Sequence, residues 1–248
     1  MAGLSRYMAV LRLFSEGLPT WTVAEMADAL GVPQSTVYRT VRDLLGEGLV
    51  EMSAEARYRP GPAFIEFDRL TRLTDPLMRA GNDILRDVVQ AAGVPCVGLL
   101  TRLYAREVMC IADHASADAD FSPSYERGRP MPLTQGATSK AILARLPAKK
   151  LVKLVGGEQA ELLREELALI RRAGFCLGRG EIDEGLAGLA VPVVCEAEGL
   201  VASLSLVVEN HRLTGAREER LRHLVISAAQ DMEQKLRASD IVKEGNPA

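Results

Sequence analysis

Residues 22–50 read TVAEMADALGVPQSTVYRTVRDLLGEGLV, and this stretch decides the N-terminal fold. Thr22 and Glu25 stand at capping-box spacing, so the Thr hydroxyl takes the Glu25 amide and the Glu carboxylate reaches back. A helix follows with Ala24, Met26, Ala27 and Leu30 on its apolar side, and Gly31 ends it. Val32-Pro33 starts a second helix with Val37, Val41, Leu44 and Leu45 on one face, closed by Gly46 and Gly48. Helix, tight turn and helix make a helix-turn-helix, whose second helix presents its N-terminal end to the DNA major groove. The positions facing the groove are then Gln34, Ser35, Thr36, Tyr38, Arg39 and Arg42. Gln suits adenine edges, Arg forks onto guanine, and the hydroxyls suit phosphates or bases.

Working outward, Tyr7, Leu11 and Phe14 recur at helical spacing and predict a first helix over residues 4–16, stopped by Gly17 and Pro19. Residues 49–52 and 58–60 predict two short strands around a turn at 53–57. Such a hairpin is a wing, with Arg57 and Arg59 placed for contacts to the DNA backbone. The plainer alternative is a three-helix subdomain with a solvated polar face. Residues 1–60 carry six arginines against seven acidic residues, so charge alone does not separate the two readings. Four of those six arginines, however, fall on the second helix of the motif and the wing.

Gly61-Pro62 marks a break. Residues 63–73 read as a connecting helix whose stripe of Phe64, Phe67 and Leu70 either forms a dimer seam or packs within one chain. Asp75-Pro76 is a strong helix start, with Asp as N-cap and Pro at the first helical position, and that helix runs to about residue 92. Strands are predicted at 94–100, 108–112, 189–194 and 200–208, a helix at 136–146, and one or two more over 148–173. A last helix, capped by Thr214, runs to about 238. The organisation is a DNA-reading domain over 1–61, a linker helix over 62–74, a larger α/β domain over 75–240, and a flexible tail over 241–248. The fold class is α+β.

A chain of 248 residues is long enough to bury a real core without disulfide staples. Its formal net charge of −3 excludes a strongly basic nucleic-acid coat but not a local DNA-reading element. No apolar run approaches the roughly 18 residues that span a bilayer. The first residues show no cleavage-site signature, so no signal peptide is expected. Cys96, Cys110, Cys176 and Cys195 form neither a CxxC pair nor a dense framework. They suggest small core hydrophobes in a reducing cytoplasm. Zinc needs three or four ligands, and no spacing here supplies them, so no metal and no cofactor are expected. The histidines His114, His211 and His223 lie in unrelated segments and form no dyad with Cys or Ser, so no enzyme is expected.

Residues 133–140, LTQGATSK, open a helix with small residues. Free amides at a helix N-terminus favour an anion such as a carboxylate, and Gly136 and Ala137 allow close approach to the backbone. The alternative is an ordinary tight loop-to-helix turn. Arg127-Gly-Arg129-Pro130, just before it, either gates such a site or lies solvated.

Residues 24–27, 31–39, Leu44, Gly48 and Val50 resemble the IclR (isocitrate-lyase-regulator) family of bacterial transcription factors. The similarity resumes at residues 58–62, 132–134, 137–144 and 172–175, at Glu181 and Gly185, and at residues 189–193 and 202–205. The resemblance implies a winged helix-turn-helix domain, a linker helix and a GAF-like effector-binding domain. It also implies homodimers or dimers of dimers on palindromic double-stranded operators. It implies a pocket formed by Gly136, Ala137 and Thr138 together with Leu186, Gly188, Ser203 and Ser205, for a small organic acid. Two departures stand out. Arg179 lies where some relatives are acidic, and either pairs with an anionic effector or Glu181, or is a surface Arg in a Gly-rich loop. Gly188 enlarges the cavity, which points to a larger and aromatic acid. The serines are otherwise read as alternating polar positions on a solvent-facing strand. The competing functional reading is a small-molecule-binding or thiol-redox GAF-like protein whose N-terminal domain contacts only other proteins.

Overall fold

The computed structural model describes residues 3–196 and 199–244, with side chains to residue 238. The chain forms two compact units, Met1–Thr74 and Asp75–Ala248.

The first unit contains α1 (Leu4–Leu11), α2 (Val23–Leu30), α3 (Gln34–Gly46), β1 (Val50–Met52), β2 (Tyr58–Pro60) and α4 (Ala63–Thr74). The capping box of α2 is present in both directions, and Gly31 closes the helix in the left-handed conformation. Met26, Ala27, Val37, Val41 and Leu44 form the core with Val10, Val50 and Tyr58. Ala24 is exposed, and Val23 packs on this core in its place. The first helix stops at Leu11 rather than at residue 16. The Trp21 indole N–H explains part of this: it donates to the carbonyls of Leu13 (3.0 Å) and Leu18 (3.2 Å), which holds that segment in an irregular course. The two strands pair antiparallel, with Glu51 opposite Arg59, and a short 3-10 turn at 54–56 joins them.

The second unit is a six-stranded antiparallel sheet with helices on both faces. Its strands are β3 (Cys96–Tyr104), β4 (Glu107–Ala115), β5 (Pro130–Met131), β6 (Cys176–Arg179), β7 (Leu186–Cys195) and β8 (Leu200–Glu209). The spatial order is β5-β4-β3-β8-β7-β6. One face is covered by α5 (Pro76–Ala92) and α9 (Gly215–Glu244). The other is covered by α6 (Gly136–Ala144), α7 (Ala148–Val155) and α8 (Gly157–Ala173). Asp75 caps α5 by accepting the Met78 amide, with Pro76 at the first position.

Double coverage explains the nearly unbroken burial of β7 and β8. Alternation still decides which face each residue serves. On β8, Ala202, Leu204, Leu206 and Val208 pack beneath α5 and α9, whereas Val207 packs on the α6 side. By the same period of two, Ser203 and Ser205 fall on the α6 side, as do Leu186 and Gly188 on β7.

Further differences from expectation lie in this unit. Residues 176–179 form edge strand β6 rather than a Gly-rich loop, because Cys176 packs in the α6-side core and the register pairs Gly178 with Gly188. The tail expected over 241–248 is helical through 244, because α9 continues, and residues 245–248 lie outside the described residues.

Candidate functional site

On α3 the apolar stripe turns inward, so the opposite face is set by default. Gln34, Ser35, Tyr38, Arg39 and Arg42 are all exposed, Tyr38 to 58%. Arg39 folds along the helix, its Nε donating to the Ser35 carbonyl at 3.2 Å, and no acidic partner among the described residues ties it down. Thr36 is half-buried beside Val10, Leu30 and Val32.

The wing arginines divide. Arg59 is exposed and pairs across the hairpin with Glu51 at 2.6 Å. Arg57 is turned inward: it donates to the Thr20 hydroxyl and carbonyl, each at 2.9 Å, and pairs with Glu25 at 2.9 Å. Its guanidinium fastens the wing to the start of α2 rather than standing free for phosphate. The Thr22 backbone hydrogen bond, aided by Arg57, holds the Glu25 carboxyl below its ordinary value.

In the second unit a small, open-mouthed cavity of about 40 Å³ lies at the start of α6. Gly136, Ala137 and Thr138 line it with Leu186 and Gly188. Gly136 has φ +77°, and a Cβ there would meet Ile182 Cγ1 at 2.8 Å, so this position requires glycine. At Gly188 a Cβ would lie 3.6 Å from Ala137 Cβ, an ordinary contact, so its absence adds open space.

Ser203 and Ser205 stand behind this wall, fully buried rather than solvent-facing. The Ser203 hydroxyl donates to the Thr138 carbonyl (3.1 Å) and also lies 2.7 Å from Thr101 Oγ1. Its one proton is thereby used, so Thr101 is the donor in the second contact. Ser205 Oγ lies 3.2 Å from Thr138 Oγ1.

Arg179 does not reach the cavity. It bonds the Asn210 side chain and the Leu213 carbonyl, and pairs with Glu218 at 2.6 Å. Neither Glu181 nor the cavity is its partner, because the β6 strand pairing sends this side chain to the start of α9.

Other lining residues were not anticipated: Tyr125, Gly178, Gly180, Glu181, Ile182, Asp183 and Val207. Glu181 Oε2 accepts the Gly136 amide at 3.1 Å and pairs with Lys140 Nζ at 2.8 Å. Lys140 also meets Glu166 at 2.7 Å. Burial alone lowers the Lys140 pKa, but the bonds to Glu166 and Glu181 outweigh it and the net shift is upward. Asp183 is held by the Ser124 amide and hydroxyl. Tyr125 donates to Ser139 (2.8 Å), whose own proton goes to the Pro132 carbonyl (2.7 Å). Glu181 belonged to a recognisable stretch of sequence, but its partner at Gly136 lies 45 positions away. Nothing in the sequence marked Tyr125.

Arg127 Nε bonds the Ile111 carbonyl at 2.7 Å, and Arg127 bridges Cys110, so this segment braces β4 instead of gating the cavity. All four cysteines are buried. Burial pushes the Cys96 thiol up to about 11 and those of Cys110 and Cys176 up to about 12. Thiols that stay protonated are poor nucleophiles. No helix among the described residues is long and apolar enough to cross a membrane.

A winged helix-turn-helix followed in the chain by a helix-clad sheet with a small cavity defines a two-domain transcriptional regulator of the helix-turn-helix class. Two family profiles match the chain: the IclR helix-turn-helix domain over residues 3–53, and the bacterial transcriptional regulator IclR C-terminal domain over residues 77–234. The chain belongs to the IclR family of bacterial transcriptional regulators. It is 24% identical over 247 residues to the HTH-type transcriptional regulator KipR of Bacillus subtilis, covering 92% of this chain and 94% of that one. It is 23% identical over 248 residues to the transcriptional repressor IclR of Escherichia coli, covering 92% and 88%. Among solved structures, an IclR transcriptional regulator from Silicibacter sp. TM1040 superposes with TM-score 0.80 at 18% identity, covering 94% of this chain and 95% of that one. An IclR homologue from Microbacterium hydrocarbonoxydans, crystallised with 4-hydroxybenzoate, gives TM-score 0.75 at 24% identity, covering 95% and 99%.

Proposed function

We propose that this regulator binds a specific palindromic operator through α3 and that a small organic acid, held in the cavity at the start of α6, modulates that binding. The carrying observation is the two-sidedness of α3: Val37, Val41 and Leu44 are buried while Gln34, Ser35, Tyr38, Arg39 and Arg42 face outward. These are the residue types that read base edges, set at the N-terminal end of the second helix of the motif.

The cavity supports the ligand half of the reading. Its floor is backbone at a helix start, its walls combine apolar Ile182, Leu186 and Val207 with the carboxylates of Glu181 and Asp183, and its hydroxyls are few and fixed. The relative crystallised with 4-hydroxybenzoate makes an aromatic acid the first ligand to try. The protein acts in the cytoplasm, without cofactor or metal, and not as an enzyme.

A single helix-turn-helix reads few base pairs, and a two-fold dimer is the usual remedy. The linker helix α4 leaves Phe64, Phe67 and Leu70 exposed to 43%, 55% and 44%, an apolar stripe suited to pairing with a second copy. Dimers, or dimers of dimers, then present two copies of α3 to the operator halves. Effector binding shifts their spacing by linkage, and a coupling of about 1–3 kcal/mol changes occupancy roughly 5–150-fold.

The test is selection from random double-stranded DNA with the purified full chain, repeated with 4-hydroxybenzoate and other small acids. Enrichment of a palindrome whose occupancy responds to an acid is the expected result. No enriched site would overturn the DNA reading, and an enriched site indifferent to every acid would overturn the effector reading. The thiol-redox alternative is disfavoured by the burial of all four cysteines and by the raised thiol pKa of Cys96, Cys110 and Cys176.

A further inference from the structure

We infer that Glu181 is a tethered competitor for the carboxylate of the effector, and therefore sets which acids this cavity accepts. The inference rests on the reading of the cavity as an organic-acid site.

The cavity is lined by two carboxylates, Glu181 and Asp183, and among the described residues no cationic side chain lines it. Arg179 is spent on Asn210 and Glu218. Lys140 lies behind the wall, its side chain 11% exposed, and spans Glu166 and Glu181. An incoming anion thus finds two of its counterparts already taken: Glu181 holds both the Gly136 amide and the Lys140 ammonium. A second carboxylate placed beside it would leave like charges in contact at a partly desolvated site, which is costly.

Exchange avoids that cost. Glu181 is the movable partner, its side chain 34% exposed and its segment flanked by Gly180 and Gly185 at φ +66° and +82°. Asp183 in the same segment is tied down by two bonds from Ser124. When Glu181 swings to solvent, the ligand carboxylate inherits the Gly136 amide and the field of Lys140, and the charge count in the cavity is unchanged. Gly178 is part of the same device, since a Cβ there would come within 2.9 Å of Glu181 Oε1. An acid must therefore outcompete a group held at very high effective concentration, so only acids with further contacts to the apolar walls bind well.

The test compares benzoate with its uncharged isostere benzamide by calorimetry on the full chain, wild type and Glu181→Gln, Glu181→Ala and Glu166→Gln. Glu166 touches Lys140 but does not line the cavity, so it controls for net charge. Both Glu181 variants are expected to tighten benzoate about tenfold or more, with benzamide unmoved and Glu166→Gln shifted less than about threefold. Equal benzoate affinity in wild type and Glu181 variants overturns the competitor role while leaving the cavity reading intact. An equal gain in Glu166→Gln overturns it in favour of net charge. Benzoate bound by none of the four proteins overturns the competitor role, and the cavity reading falls with it when no other small acid binds either. Loss of the melting transition in both Glu181 variants also overturns it, since the carboxylate would then be a structural anchor rather than an exchangeable one.

Discussion

Arg57, on the wing, pairs at 2.9 Å with Glu25, whose carboxylate also accepts the Thr22 amide at 2.8 Å as half of a capping box. One acidic side chain therefore starts the first helix of the DNA-reading motif and fixes the hairpin beside it. Arg57→Ala removes this tie and the bonds to Thr20, and is expected to cost about 1–2 kcal/mol of N-terminal stability. Thermal melts of the full chain check this, and an unchanged N-terminal transition would contradict it.

The same carboxylate gives a pH dependence. Its folded pKa lies below the ordinary value of 4.5, so its contribution is fully present above about that pH. As pH falls through the depressed folded value, the contribution is lost. Glu25→Gln is therefore expected to lower the melting temperature at pH 7, with the difference from wild type closing in acid below pH 4.5. A gap that persists or widens in acid would refute the sign.

Arg39 is the opposite case from Arg57, exposed and, among the described residues, bonded only within its own helix. Arg39→Ala is expected to leave the melting curve unchanged. It should weaken operator binding by about 1–3 kcal/mol and flatten preference at one base position. Gel shifts against operator and scrambled duplexes measure both effects. Equal loss on both duplexes would reassign Arg39 to the backbone.

Gly136 and Gly188 line one cavity but should respond differently. Gly136→Ala combines φ +77° with a 2.8 Å approach to Ile182, and is expected to destabilise the fold by about 1 kcal/mol or more. Gly188→Ala fits at 3.6 Å and should leave stability within about 0.5 kcal/mol while reducing aromatic-acid binding. Differential scanning fluorimetry with and without ligand separates the two outcomes.

Cys96, Cys110 and Cys176 are buried, with thiol pKa values of about 11, 12 and 12. A thiol-reactive dye at pH 8 is expected to label the native protein only slowly and the denatured protein completely. Fast labelling of native protein would revive the redox reading.

What was legible in the sequence was local. The Thr22–Glu25 box, the Gly31 stop, the Asp75-Pro76 start and the inward stripe of α3 depend on neighbours within a helical turn or two. The grouping of Leu186, Gly188, Ser203 and Ser205 came from the family resemblance alone, since alternation by itself placed the serines equally well toward solvent. What was not legible depends on distant pairing. Arg179 is fixed by Asn210 and Glu218, and Arg57 by Thr20, 37 positions earlier. Glycines at 178 and 180 imitate a loop, and only the partner strand β7 shows that residues 176–179 belong to the sheet. Glu181 was visible as a residue but not as the present occupant of the helix start.

The sheet of the second unit ends on both sides in strands that offer little to another chain. Edge strand β5 has two residues and begins with Pro130, which has no amide proton to give. Edge strand β6 has four, with Gly178 and Arg179 among them. The long apolar strands β7 and β8 lie inside the sheet, with neighbours on either side. Copies of this domain are thereby protected against zipping together edge to edge. Association of copies of this domain is thus left to side-chain surfaces, where geometry can be specific.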